Sequence, residues 1–246
     1  MTLPYVLVLG ASSAIGRAIA LELARGHSLL LAGRDAAEIE RIASDVRLRT
    51  NSTVATVPYD AFTSDASAFL SRCLELAHGD LEGIVACQGL MDEDDRAKTD
   101  PLALARLVTV NFVSPATVLA AATPWFEQRK RGFLVAISSV AADRGRQSNY
   151  PYGAAKAGLA TFLDGLRHRL HRAGVQVLTV KPGFVDTAMT WGLPGLFLVA
   201  TPQRVARDVV RALRRGTRTL YTPWFWRWIL AILRRVPEPI FLRTKL

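Results

Sequence analysis

Short runs made wholly of apolar residues alternate with longer stretches whose apolar residues fall at helical steps, and this alternation constrains the chain more than any other feature. YVLVL at 5–9 ends at Gly10, and in AIGRAIALEL the side chains of Ile15, Ile19 and Leu23 then share one helical face. The pattern repeats: strands are predicted at 28–32, 53–57, 82–87, 133–137 and 175–180, with helices over 35–49, 69–77, 102–125 and 152–171 between them. Pro115 is expected to bend the long helix or to mark a junction in it. The segment 92–100 is polar and reads as a loop. A strand without polar alternation must be covered on both faces, and strands separated by helices line up in parallel. The expected fold is therefore α/β, a doubly wound parallel sheet with helices on both faces. At 246 residues the chain has room for one large domain with a buried core.

The first strand runs into GASSAIG at 10–16, which then opens a helix. In that context glycine lets the backbone approach a pyrophosphate, and helix N-terminal amides meet its charge. Gly10, Ser12, Ser13, Ile15 and Gly16 are the candidate contacts, with Ala14 standing where a middle glycine is usual. At the end of the second strand an NAD site needs a carboxylate for the ribose, but this chain has Gly33 and then Arg34. A guanidinium there matches a 2′-phosphate, which favours NADP, and Arg17 adds a second positive charge.

The reactive chemistry is read from SSVAADRGRQSNYPYGAAK at 138–156. Tyr152 and Lys156 stand four apart at the start of a helix, so they share a face, and an ammonium there lowers the cost of a phenolate. Tyr150 is the nearest rival, but its i+4 partner is Ala154. Ser139, at the carboxyl end of a strand, is placed to donate to a carbonyl oxygen.

Taken together, the glycine turn, the serine and the Tyr-x3-Lys pair resemble the classical short-chain dehydrogenase/reductase family over roughly residues 5–215, which implies a Rossmann-like fold. The resemblance implies a catalytic tetrad of Asn111 (in TVNFVSP), Ser139, Tyr152 and Lys156. It also implies cofactor contacts at Asp60 near the adenine, at Gly89, at the Lys156 amine, and at Pro182, Gly183, Val185 and Thr187 on the nicotinamide side. Ala86-Cys87-Gln88-Gly89 departs from the family's Asn-Asn-Ala-Gly. In this departure the chain looks similar to a divergent branch that includes the reductase of decaprenylphosphoryl-2-keto-β-D-erythro-pentofuranose. The activity implied is hydride transfer from NADPH to the carbonyl of an apolar or lipid-linked ketone, with tyrosine as proton donor and a homodimer or homotetramer as the assembly. Rival readings are a soluble alcohol or 3-ketoacyl/steroid substrate, a scaffold whose chemistry is lost, and a nucleic-acid-binding protein.

Charge and composition bear on the rivals. Of the net charge of +10, the segment 201–246 carries eleven basic side chains against two acidic ones. These are bundled with tryptophans and aliphatics, and no groove-reading module is evident, so nucleic acid is not expected as a partner. Residues 216–246 read as a basic-aromatic extension beyond a catalytic domain of residues 1–215. Within it 224–233, WFWRWILAIL, is too short to span a bilayer and fits an interfacial helix on an anionic membrane, although its aromatic residues do not share one face. The segment 189–200, MTWGLPGLFLVA, is apolar for a loop: it reads as a lid over a greasy substrate, or as a surface packed on the core or on another subunit. Cys73 and Cys87 have neither redox-pair nor metal-ligand spacing, so no metal is expected and a reducing compartment fits. With no signal-peptide pattern at the start, the expected location is cytoplasmic, peripheral on the inner face of the cell membrane.

Overall fold

The computed structural model describes residues 3–91, 95–191 and 197–244. Its core is a seven-stranded parallel sheet: β1 (Tyr5–Leu9), β2 (Ser28–Gly33), β3 (Val54–Pro58), β4 (Leu81–Ala86), β5 (Phe133–Ile137), β6 (Gln176–Pro182) and β7 (Thr219–Thr222). The spatial order is β3-β2-β1-β4-β5-β6-β7, with every neighbouring pair parallel. The order reverses between β1 and β4, and a crevice opens there at the carboxyl ends of the strands.

Alternate side chains of each strand feed two cores. Val6, Val8, Leu29, Leu31, Val135 and Leu178 point to the side covered by α1 (Ala14–Leu23), α2 (Ala36–Thr50) and α7 (Pro202–Arg214). Leu7, Leu9, Leu30, Ile84, Leu134 and Val177 point to the side covered by α3 (Ala66–Leu76), α5 (Ser114–Arg129) and α6 (Tyr150–Leu170). This two-sided burial is what the unbroken apolar runs require. Helix starts follow local chemistry: Ser13, Asp35, Asp65, Asp100 and Thr201 hold extended backbone and accept an amide hydrogen from the first turn.

The single helix predicted over 102–125 is two helices, α4 (Pro101–Val108) and α5, joined by a π turn at Thr109–Val113. The junction precedes Pro115, which sits in the first turn of α5 where its missing N–H costs nothing. The combined stretch 101–129 is long and apolar enough to cross a membrane, but Val118, Leu119, Ala122 and Phe126 are buried in the sheet's core.

Neither α7 nor β7 is among the predicted elements. β7 lies beyond residue 215, so part of the segment read as an extension pairs with β6 and completes the sheet. After β7, α8 (Trp226–Arg235) turns its buried Trp226 and Leu230 onto Val140, with Phe184 and Tyr221 packed alongside. A short α9 (Glu238–Phe241) follows. Arg144 ties this tail to the body: its Nη1 donates to the carbonyls of Leu233 and Val236, and its guanidinium lies 3.7 Å over the Phe241 ring.

Beside Arg144, the Asp143 carboxylate is 2 % exposed and accepts from Lys181 on β6 and, at 2.7 Å, from the Tyr221 hydroxyl on β7. Removing it strands a largely buried ammonium. Asp143→Ala is expected to cost about 3–5 kcal/mol, read as a lower urea midpoint; a midpoint equal to that of the parent would show that the carboxylate contributes nothing.

Candidate active site

The crevice at the strand reversal holds two adjoining cavities, of about 680 and 340 Å³, that share Ser12, Ser13, Cys87, Gln88 and Gly89. Gly10, Arg34 and Asp60 line the smaller one. Ile15, Arg17, Ser139, Tyr152, Lys156, Pro182, Gly183, Val185 and Thr187 line the larger. The structure therefore gathers these residues along one cleft, although they come from six separate stretches of sequence.

At the narrow end, Gly10 has φ +79°, and a Cβ there would lie 2.8 Å from the Gln88 amide nitrogen. That cradle is open only because the residue is glycine. Ser13 is occupied as the cap of α1, accepting from Gly16 N at 3.0 Å and donating to Gly10 O at 2.9 Å. Asp35, the nearest carboxylate to the end of β2, is occupied in capping α2 through Glu38 N at 3.0 Å. Arg34 makes no ion pair with a described residue, so its guanidinium fork is available at the cavity wall. Arg17 differs, because it is paired with Glu38. One oxygen of Asp60 accepts from Phe62 N at 2.8 Å. The Oε1 of Gln88 is buried without a partner among the described residues, while its Nε2 donates to Ser114 Oγ at 3.0 Å.

At the wide end, Lys156 is 2 % exposed and donates to Ile137 O at 3.0 Å and Gln88 O at 3.2 Å. These carbonyls lie where β5 ends and just past β4. Two of its three ammonium hydrogens are thereby spent on backbone, leaving one. Burial pulls its pKa down to about 8, with the neighbouring Cys87 opposing the shift. Tyr152 is 9 % exposed, one helical turn earlier, its ring centroid 5.8 Å from Lys156 Nζ. Burial pushes the phenol up to about 12, against a hydrogen bond from the Ser139 side. Ser139 Oγ accepts from Ala141 N at 3.1 Å, so its own proton is not spent on that backbone contact. Its neighbour Ser138 is instead buried and bonded to Lys156 O at 2.9 Å. Tyr150 points elsewhere, its hydroxyl donating to Lys98 O at 3.3 Å.

Asn111 sits in the π turn, fully buried, and does not line the cleft. Its Nδ2 donates to Leu90 O at 2.8 Å and Leu107 O at 3.0 Å, and its Oδ1 accepts from Leu90 N at 3.2 Å. The side chain thus fastens the backbone beside Gly89 to the helix pair.

Beyond β6, the segment after Pro182 folds back so that Asp186 N donates to Ala200 O and Ala200 N donates to Phe184 O. Of the apolar stretch read at 189–200, residues 192–196 lie outside the described residues. Met189 and Thr190 line the cleft, and Trp191 is 89 % exposed. Under this segment the Trp226 ring leaves room only for a glycine at 183: a Cβ there would lie 1.9 Å from the indole nitrogen. The sequence carried no local signal for that contact, nor for the backbone acceptors of Lys156.

The family model described as short chain dehydrogenase matches residues 4–194. The chain belongs to the short-chain dehydrogenase/reductase family. Over 97 % of its length this family member is 36 % identical to an uncharacterized oxidoreductase of Mycobacterium tuberculosis (strain ATCC 25618 / H37Rv), covering 96 % of that protein. It is 33 % identical to an uncharacterized oxidoreductase of Streptomyces coelicolor, over 97 % of this chain and 94 % of the other. Among solved structures it resembles a short-chain dehydrogenase from Sphingobium yanoikuyae in complex with NADPH, with a TM-score of 0.79 and 25 % identity over 96 % of this chain and 97 % of that one. The bulky-bulky ketone specific alcohol dehydrogenase from Comamonas testosteroni shares the fold, with a TM-score of 0.81 and 24 % identity over 99 % and 96 % of the two chains. The chain is thus an oxidoreductase of the short-chain type.

Proposed function

We propose that the chain reduces the carbonyl of an apolar, lipid-borne ketone with NADPH. The observation that carries this reading is the buried Lys156 ammonium, held by two carbonyls, one helical turn from a buried Tyr152 with Ser139 beside it. The residues present fit a dinucleotide: the Gly10 cradle would accept the pyrophosphate, Arg34 a 2′-phosphate, and Lys156 a ribose hydroxyl with its third hydrogen. The relative from Sphingobium yanoikuyae, solved with NADPH, supports the same choice.

When bound, the cofactor supplies a hydride to the carbonyl carbon. Ser139 would donate to the carbonyl oxygen and orient it, and Tyr152 would give that oxygen its proton. Charged Lys156 lowers the cost of the phenolate left behind. Asn111, its side chain spent on backbone, acts as a positioning residue that holds the Gly89–Leu90 backbone in place. A lipid-borne substrate, of which a polyprenyl-linked keto sugar is one form, is supported by the exposed apolar side chains Trp191, Phe197, Leu198 and Val199, on the same stretch of chain as the cleft-lining Met189 and Thr190. In this reading the basic-aromatic tail brings a cytoplasmic enzyme to the membrane that holds such a ketone.

Three outcomes test the reading. Tyr152→Phe is expected to lower kcat by about 10³-fold or more while NADPH affinity, followed by fluorescence titration, stays within about threefold; unimpaired turnover would remove tyrosine as the acid. Arg34→Ala should raise KM for NADPH about tenfold or more and leave KM for NADH nearly unchanged. Equal effects on both cofactors would mean that Arg34 does not read the phosphate.

The third test is pH. Lys156 loses its charge as pH rises through about 8, whereas Tyr152 keeps its proton up to about 12. The kcat/KM for NADPH reports the cofactor-free protein, so for reduction it should be level below about 8 and fall by about tenfold per unit above it. A profile flat to pH 10 would separate the Lys156 charge from the reaction.

A further inference from the structure

The helix α8 has two apolar faces, and the body of the protein uses only one. Trp226 and Leu230 point inward and are buried against Val140. Trp228 and Ile232, four residues apart, lie on the other side, 62 % and 70 % exposed, and Trp224, in the turn that leads into the helix, is 66 % exposed. Beyond α8, Ile240 and Leu242 extend this surface and are also exposed. Around it stand Arg227, Arg234, Arg235 and Arg243, all exposed, none of them ion-paired with a described residue, and Glu238 is the acidic side chain among them.

We propose that this outer face of α8 and α9 docks on an anionic bilayer surface and sets the mouth of the cleft against it. Ten residues of helix measure about 15 Å against an apolar core of about 30 Å, so α8 lies in the interface and does not cross it. Indole rings at headgroup depth with arginines on the flanks satisfy both the apolar and the phosphate layers. A second copy of the chain is a poorer occupant, because a two-fold interface on this patch would set arginines against arginines.

Segments that line the cleft adjoin α8. The Phe197 ring packs 5.5 Å from Trp226 and 5.7 Å from Phe184, so the exposed residues 197–199 lie against α8, and Ala200 directly after them bridges to Val185, which lines the cleft. On the inner side Trp226 lies directly on Gly183, and Arg144, five residues past Ser139, caps the end of α8. A face docked on lipid is therefore rigidly tied to the segments that bear Ser139 and Gly183. The choice of partner stands on the face itself; the benefit of presenting the mouth to the bilayer rests on the reductase reading above.

Cutting the chain near Gly216 would remove β7 and the ring under Gly183, so point variants of the full chain provide the test. The full chain is sedimented with phosphatidylcholine vesicles, with and without phosphatidylglycerol, and compared with the triple variant Trp224→Gln, Trp228→Gln, Ile232→Gln. In parallel, reduction of a soluble ketone by NADPH is followed without vesicles, and size by light scattering. Docking predicts pelleting with the anionic vesicles, release by salt, and a partition coefficient about tenfold or more lower in the variant, whose vesicle-free reduction and size are unchanged. A chain that stays in the supernatant with both vesicles, or a variant that pellets like its parent, overturns the proposal. So does a variant whose only change is a smaller oligomer, which gives the face to a second copy. Reduction without vesicle binding sinks the docking alone, whereas vesicle binding without reduction of any ketone sinks the reductase reading and leaves the docking in place.

Discussion

An ammonium buried at the carboxyl edge of a parallel sheet is the interaction on which the rest of this structure depends. Placing a charge in a site 2 % exposed is costly, and the cost is visible in the amine's pKa, pulled down to about 8. Two carbonyls offset part of it, and they are available only because strands ending side by side leave acceptors without a next ladder partner. Ile137 and Gln88 reach Lys156 from the ends of neighbouring strands, and Ser138 fixes the backbone of the same helix turn at Lys156 O. Moving any of these elements would leave the amine unsatisfied. The chemistry and the sheet register are thus one constraint.

The same sheet explains which parts of the fold were legible in the residues. Strands covered on both faces appear as apolar runs, so β1 to β6 were found with ends a residue or two from the observed ones. β7 escaped because its four residues form the edge of the sheet and are only partly buried. The helix α7 had a readable signal, with Thr201 as cap, Pro202 in the first turn and Val205, Val209 and Ala212 on one face, in a segment whose arginines stood out as charge. The split between α4 and α5 was less accessible. Proline marks a break, but the turn that places Asn111 is a register change in the helix, and no residue type encodes it alone.

At the site, spacing showed what lies on one element, whereas contacts between elements were hidden. Tyr152 and Lys156 share a helix, so four residues of separation were enough to pair them. Ser138 and Ser139 stand side by side in sequence, and only the structure distinguishes them: the Ser138 hydroxyl donates to Lys156 O, whereas Ser139 Oγ accepts from Ala141 N. Asn111 was placed by resemblance in the catalytic tetrad; its amide is bonded to the Leu90 backbone, a contact that only long-range geometry carries. Similarly, Gly183 was placed by resemblance on the nicotinamide side, and nothing near it in sequence signals the Trp226 ring packed against it.

That contact also changes how the tail is understood. A segment grafted onto a finished domain could be lost without consequence for the cleft, but β7 closes the sheet, Tyr221 donates to the buried Asp143, and Trp226 replaces the side chain that Gly183 cannot carry. The apolar residues of α8 therefore have two different explanations. Trp226 and Leu230 belong to the core by the same logic as any buried face, and their substitution would act through stability. Trp224, Trp228 and Ile232 are mostly outside the core and leave apolar surface in water. It is the second set, rimmed by arginines that make no ion pair with a described residue, that needs a partner outside the protein.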